Sequence, residues 1–167
     1  KTMFKNESAR PSVMQFVRTE LDAGRQAYFI YPLIEESSKV DYENLLKGYE
    51  EVKAFFPEPA YWISMVHGRQ TAAEKETNMQ RFVKGDTQIM VGTTVIEVGV
   101  NVPNATVMVI ESAEKFGLSQ LHQLRGRVGR GAAASYCILL TGNKLSNDAR
   151  ERLQIMVHTN DGFKIAE

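Results

Sequence analysis

The sequence predicts an α/β domain: a doubly wound, mostly parallel sheet flanked by helices. Five short runs are apolar throughout instead of alternating with polar residues, as is typical of strands buried on both faces. These runs are residues 26–31, 60–66, 87–92, 106–110 and 135–141. Most of the segments between them are long enough for the crossover helix that joins two parallel strands. Ligands of such sheets gather beyond the carboxyl ends of the strands, so we expect the functional sites there.

Turn and cap signals support the individual elements. Pro32 cannot donate to a ladder and closes the first run. Thr71, followed by Glu74, forms a capping-box pattern before a helix that ends at Gly85. The helix before it is predicted from apolar residues at helical spacing and is stopped by a Pro-Glu-Pro segment. Those apolar residues are Leu45, Tyr49, Val52 and Phe56.

Composition narrows the classes of function. The 167 residues include 20 basic and 20 acidic side chains, so anion binding must be local. The one cysteine, Cys137, lies in an apolar run, which excludes a disulfide within the chain and predicts a buried thiol. The three histidines lack metal-ligand spacing, so no metal site is predicted. Without a signal peptide or a long apolar stretch, we expect a cytoplasmic protein that does not enter a membrane.

The segment "QLHQLRGRVGRG", residues 120–131, concentrates positive charge among glycines. Leucines at helical spacing predict a short helix here, with Gln123, Arg127 and Arg130 near its far end. Arginine presents a planar, permanently charged fork that matches phosphate oxygens, and glycine lets the backbone approach a ligand. The spacing favours a phosphate site, with a solvated basic turn as the alternative.

Two further segments carry candidate residues. In "GTTVIEVGVNVPNAT" (92–106), Thr93 and Thr94 follow a buried strand, and Gly99 allows close backbone approach, although an ordinary strand end is the alternative. In "HGRQ", a His67-Gly68-Arg69 turn precedes a helix, whose amides and dipole suit an anion. A histidine with a structural role is the alternative there.

These segments resemble those of a known family. "QLRGRVGR" resembles the sixth conserved motif of superfamily 2 helicases, and "GTTVIEVGVNVPNAT" resembles the fifth. "YPLIEES", "HGR", "ESAEKFGLSQLHQ" and "SYCILLT" complete a series in the family's order over about residues 26 to 142. Taken together, these segments make the chain similar to the second RecA-like motor domain of the RecG family of ATP-dependent DNA helicases.

The resemblance implies a role for each motif in a cleft between two motor domains. Arg130 would be the arginine finger, Arg127 a second triphosphate contact and Gln123 a polar helper. Gly99 and Asn101 would lie near the nucleotide, although many relatives have an aspartate at the position of Asn101. The residues expected to contact the DNA backbone are Thr93, Thr94, His67, Gly68 and Arg69.

The resemblance also implies what this chain needs from elsewhere. A phosphate-binding loop and an acidic box are absent from the sequence, so ATP with Mg²⁺ would be bound mainly by the first RecA-like domain. We expect residues 1–142 to be the helicase C-terminal domain and 143–167 a helical extension, with both ends cut from a larger protein. The expected partners are that first domain and forked or four-way junction DNA, in the nucleoid of a bacterial cytoplasm.

Two alternatives stay open from the sequence. The chain could be a non-catalytic helicase-like module that binds DNA or protein, as its neutral charge mildly favours. It could also be the motor half of a translocase similar to the transcription-repair coupling factor Mfd, which shares the last two blocks. A phosphate-binding loop encoded upstream would argue against the module.

Overall fold

A computed structural model describes residues 1–33, 39–93, 102–128 and 134–159. Six strands lie within these ranges: β1 (Thr2–Asn6), β2 (Gln26–Ile30), β3 (Ile63–Val66), β4 (Ile89–Gly92), β5 (Ala105–Ile110) and β6 (Tyr136–Thr141). The α-helices are α1 (Arg10–Asp22), α2 (Lys39–Phe55), α3 (Ala72–Val83), α4 (Leu118–Arg125) and α5 (Asn147–His158). Short 3₁₀ turns at Glu7–Ala9 and Ala113–Lys115 precede α1 and α4.

The six described strands form one sheet in the order β1-β6-β5-β2-β4-β3, and every neighbouring pair is parallel. The predicted fold class is therefore confirmed. All five predicted strands are present, with bounds that differ by up to three residues.

The strand β1 was not predicted. Its sequence, Thr-Met-Phe-Lys-Asn, is short and partly polar, and its side chains are mostly half-buried or exposed. As an edge strand it pairs only with β6, with Thr2 opposite Cys137. An edge position needs less apolar surface than the centre of a parallel sheet, so the composition of this run carries little strand signal.

Two hydrophobic cores cover the two faces of the sheet. Alternate residues of each central strand enter opposite cores: Tyr28 and Ile30 of β2 face one, and Phe29 faces the other. The same alternation holds in β6, where Cys137 and Ile138 lie on different faces. Both faces are thus packed, which is why the central strands are mostly apolar.

The predicted helix signals are also found. In α2, Leu45 and Val52 are buried, and Phe56, just beyond its end, is fully enclosed. The capping box of α3 forms: Glu74 N donates to Thr71 Oγ1 at 3.1 Å, and Thr71 N donates to Glu74 Oε1 at 3.0 Å. Gly85 follows with φ of 83°, a conformation that favours glycine.

Helix α5 packs on the sheet through Leu153 and Met156, which belong to the core that α4 also covers. A helix in the region after residue 142 is therefore present, while the division into 1–142 and 143–167 stays a prediction. Across the described ranges, we find no helix with the length and apolar character required to cross a membrane.

Candidate nucleic-acid and phosphate sites

Four of the predicted site positions lie outside the described residues: Thr94, Gly99, Asn101 and Arg130. Their roles stay predictions from the sequence. The described candidates form two separate groups. One group is the His67–Arg69 turn with Thr93, and the other is Gln123 with Arg127.

The first group lies at the carboxyl edge of the sheet, as expected. Because β3 and β4 run parallel with Val66 opposite Gly92, the residues that follow each strand are brought side by side. Thr93 N donates to Val66 O at 3.3 Å. His67, Gly68, Arg69 and Thr93 line one small cavity of about 30 Å³. That volume is about one water molecule, so these residues already lie close together.

Hydrogen bonds fix the shape of the turn. Arg69 N donates to His67 Nδ1 at 3.2 Å, and His67 N donates to the side-chain oxygen of Gln70 at 3.1 Å. Gln70 in turn donates to Met65 O at 2.8 Å. The amides of His67 and Arg69 are thus used within the turn, contrary to the expectation that they would be offered to an anion. What His67 and Arg69 retain for a ligand is their side chains.

His67 is a neutral hydrogen-bond donor in this arrangement. It is 8% exposed, and burial lowers its pKa; the charges of Lys75 and Arg69 lower it further, while Glu74 acts in the opposite direction. Since Nδ1 accepts the Arg69 amide, the hydrogen-bond network assigns the ring proton to Nε2. The Nε2–H group suits a phosphate oxygen.

Tyr42 is a member of this group that the sequence analysis missed. Its ring centroid lies 5.0 Å from that of His67, and the Arg69 guanidinium carbon lies 4.4 Å from the Tyr42 centroid. Tyr42 comes from α2, far from the turn in sequence, so no local pattern reveals the contact. It also lines the small cavity.

The hydroxyl of Thr93 is buried and has no hydrogen-bond partner among the described residues. An unsatisfied buried hydroxyl costs about 1–3 kcal/mol, so such groups are rare in structural positions. The Thr93 hydroxyl therefore adds a hydrogen-bond donor and acceptor beside the Arg69 guanidinium and the His67 imidazole.

The arginine segment extends away from the carboxyl edge. Helix α4 starts beyond β5 and ends at Arg125, whose guanidinium donates to Thr2 Oγ1 at 3.3 Å, at the start of β1. The described end of α4 thus lies away from the edge where the sites were expected, while the phosphate site itself stays a prediction.

Arg127 lies beyond the end of α4, in a turn where its amide donates to Leu124 O at 2.9 Å. Gln123 is exposed on the last turn of the helix, and Arg127 is half-buried. Burial raises the pKa of Tyr28 to about 12, and the charge of Arg127 acts against that shift. Arg127 is thus near Tyr28, on the face of the sheet that α4 covers.

Arg125, in the same basic segment, has a structural role. Its guanidinium donates to Met156 O at 2.7 Å and also to Thr159 O, at the carboxyl end of α5. It satisfies carbonyl groups that the end of a helix leaves without partners. Part of the positive charge of this segment therefore serves to hold α5 in place.

A larger cavity of about 290 Å³ lies between the ends of β2 and β5, lined by residues that include Arg10, Tyr31, Lys47 and Glu111. Arg10 makes two hydrogen bonds to the buried Glu111 carboxylate, one of them 2.7 Å long, and this pairing raises the pKa of Arg10. The pair joins the start of α1 to the end of β5. The Arg10–Glu111 pair thereby holds the carboxyl edge of the sheet in place near the cavity lined by His67.

Comparison with known proteins gives consistent results. Residues 13–132 match the helicase conserved C-terminal domain family. The chain is 54% identical over 160 residues to the ATP-dependent DNA helicase RecG of Synechocystis and 51% identical over 156 residues to that of Bacillus subtilis. These matches cover 95% and 93% of this chain but only 19% and 22% of the relatives, so the chain spans about a fifth of their length.

Solved structures agree. The structure of RecG bound to a three-way DNA junction superimposes with a TM-score of 0.83 and 43% identity, covering 99% of this chain and 21% of that one. The C-terminal domain of the DEAD-box protein Dbp5 superimposes with a TM-score of 0.59 at 18% identity over 95% of this chain and 85% of that one, which shows the fold alone. The RecG resemblance of the sequence is confirmed, and the chain belongs to the helicase conserved C-terminal domain family.

Proposed function

We propose that this chain is the second motor domain of a RecG-like, ATP-dependent DNA helicase that acts on branched DNA. The observation that carries the proposal is the likeness to RecG on a three-way junction, which covers 99% of the chain at a TM-score of 0.83. The two alternatives, a non-catalytic helicase-like module and the motor half of an Mfd-like translocase, gain no comparable support. Forks and four-way junctions are the proposed substrates.

The DNA contact of the proposal is the His67 cavity. Arg69, the Nε2–H of His67 and the Thr93 hydroxyl are side-chain groups of the kind that grip phosphate oxygens without reading sequence. Thr94 and the Gly68 backbone complete the proposed contact. The chain has no net charge, so these local groups must supply most of the attraction.

The nucleotide contact of the proposal is the arginine segment. Arg130 would act as the arginine finger and Arg127 as a second phosphate contact, with Gln123 beside them and Gly99 and Asn101 near the ribose. An arginine finger stabilises charge that develops in phosphoryl transfer and is worth roughly 10³–10⁵ in rate. The phosphate bond to be hydrolysed would belong to bound ATP, and these side chains would orient and neutralise its phosphates.

The described residues suit the phosphates better than the magnesium ion. Arg127 is a half-buried cation, and Gln123, four residues earlier, has an exposed amide. In the part of the chain that is described, no three His, Cys, Asp or Glu residues cluster so that they could hold a metal. The proposal therefore assigns the Mg²⁺ ligands and the main phosphate cradle to the first RecA-like domain.

The separation of the two sites suggests how ATP and DNA are coupled. His67 follows the carboxyl end of β3, whereas Arg127 follows the far end of α4, near Tyr28 in the middle of β2. A rigid sheet between them would turn closure around ATP into displacement of the DNA contact. Closure on binding and reopening after hydrolysis would then step the protein along DNA.

The test is an Arg130→Ala variant of the full helicase that contains this chain. We expect DNA-stimulated ATP hydrolysis to be abolished while DNA binding stays nearly intact, since Arg130 is assigned to the nucleotide. Arg150→Ala, which removes an exposed arginine of α5, is the matched control. Wild-type turnover by the Arg130→Ala variant would contradict the assignment.

A further inference from the structure

The contacts of Tyr42 set it apart from the other aromatic residues of α2. Its ring meets both functional side chains of the turn, with the Arg69 guanidinium carbon 4.4 Å and the His67 ring 5.0 Å from its centroid. These are the distances at which a ring attracts a cation and packs on a second ring. The Tyr42 side chain thus contacts two of the side chains assigned to DNA.

Packing in the hydrophobic core does not explain why a tyrosine lies at position 42. It is half-buried and belongs to neither hydrophobic cluster of the described residues. Leu45, almost one turn further along α2, is 1% exposed and provides the core contact of this part of the helix. The ring of Tyr42 instead extends to the carboxyl edge, where it lines the cavity with His67 and Arg69.

The contact with the Tyr42 ring lowers the entropy that Arg69 loses when it binds a phosphate. Arg69 is exposed, and an arginine side chain free in solvent loses rotamer entropy when it binds a phosphate. A ring beneath the guanidinium restricts those rotamers before binding and leaves the N–H groups at its rim available. His67 is already held through the Nδ1 hydrogen bond, so the ring adds a second constraint to it.

We propose that Tyr42 is a positioning residue of the DNA contact, which orders Arg69 and His67 so that both face the same backbone phosphate. This inference rests on the proposed function. Tyr42 acts through Arg69 and His67 and does not itself contact DNA. A sequence-blind phosphate contact gains affinity from such preorganisation without any new contact.

The test is a double-mutant cycle in the full helicase, with binding to a fluorescein-labelled synthetic DNA fork measured by anisotropy. Tyr42→Met removes the ring and keeps an unbranched apolar side chain that suits a helix. A cation–ring contact at an exposed site corresponds to a loss of about two- to fivefold in affinity. Tyr42→Phe retains the ring and should bind like wild type.

The cycle separates positioning from direct contact. In an Arg69→Ala background, we expect most of the effect of Tyr42→Met to disappear, because the group that the ring positions is gone. An undiminished effect there would mean that Tyr42 contacts DNA itself and would overturn the inference. So would a Tyr42→Met variant that binds like wild type, or a Tyr42→Phe variant that binds as weakly as Tyr42→Met.

Two controls keep the result interpretable. Circular dichroism and thermal unfolding check that each variant is folded, and Tyr42→Leu replaces Tyr42→Met if the latter is not. If the wild-type helicase fails to bind the fork, the proposed function fails and the inference fails with it. If wild type binds the fork but the effects of the Tyr42 and Arg69 substitutions are additive, the inference is overturned and the proposed function is not.

Discussion

The guanidinium of Arg125 donates a 2.7 Å hydrogen bond to the carbonyl oxygen of Met156, which ties the end of α4 to the last turn of α5. A second bond goes to Thr159 O, and a third of 3.3 Å goes to Thr2 at the start of β1. One side chain therefore joins three elements at the amino edge of the sheet. It does so two residues before Arg127.

Replacing Arg125 with methionine should destabilise the chain. Hydrogen bonds from a charged donor contribute about 1.5–3 kcal/mol each, but Arg125 is only half-buried, so we expect a loss of about 2 kcal/mol. Urea unfolding at neutral pH measures it. Arg150→Met, at an exposed position of α5, should change the free energy of unfolding by less than about 0.5 kcal/mol. Equal stability of the two variants would show that these bonds contribute nothing.

Cys137 should be unreactive until the chain unfolds. It is 1% exposed, and burial raises the pKa of its thiol to about 12, so almost no reactive thiolate exists near neutral pH. Titration with an aromatic disulfide reagent should find no thiol in the native chain and one after denaturation, because the sequence has a single cysteine. Rapid labelling of the native chain would contradict the burial of β6.

Stability should fall in mild acid because of His67. Its pKa is lowered from the ordinary 6.5 by burial, so the unfolded chain takes up the proton more readily than the folded chain. The contribution of His67 to stability is therefore complete above about pH 7 and is lost as the pH falls below 6.5 through the folded-state pKa. Protonation of Nδ1 would also break the hydrogen bond from the Arg69 amide.

The measurement is the free energy of unfolding between about pH 7 and pH 5.5, where most carboxylates stay ionised. His67→Asn keeps an acceptor for the Arg69 amide and should show a shallower decline than wild type. His158→Asn, at an exposed position at the end of α5, is the control and should follow wild type. Identical slopes in wild type and His67→Asn would remove His67 as the cause.

Much of the fold was predictable because burial on both faces leaves a direct trace in sequence. The six residues of β5 are all buried, and all but Thr106, whose hydroxyl bonds to Glu20, are apolar. The capping box at Thr71 is equally local, since its two hydrogen bonds join residues three apart. The edge strand β1 carries no such trace, because four of its five residues are half-buried or exposed.

The sites were predictable only as far as their motifs are local. His67, Arg69 and Thr93 were found and do meet, because β3 and β4 are neighbours and end at the same level. The contact of Tyr42 with Arg69 depends on how α2 packs, which no short pattern records. The sequence indicated a short helix with Arg127 near its far end, but the position of Arg127 near Tyr28 depends on how α4 packs on the sheet.

The most direct test is ATP hydrolysis by this chain with and without the upstream motor domain that we propose. The chain contains no phosphate-binding loop, so we expect no turnover by it alone, with or without DNA. Joined to the upstream domain, it should support hydrolysis that branched DNA stimulates. Turnover by the isolated chain, or a joined protein that hydrolyses no ATP, would contradict the proposal that this domain completes a shared nucleotide site.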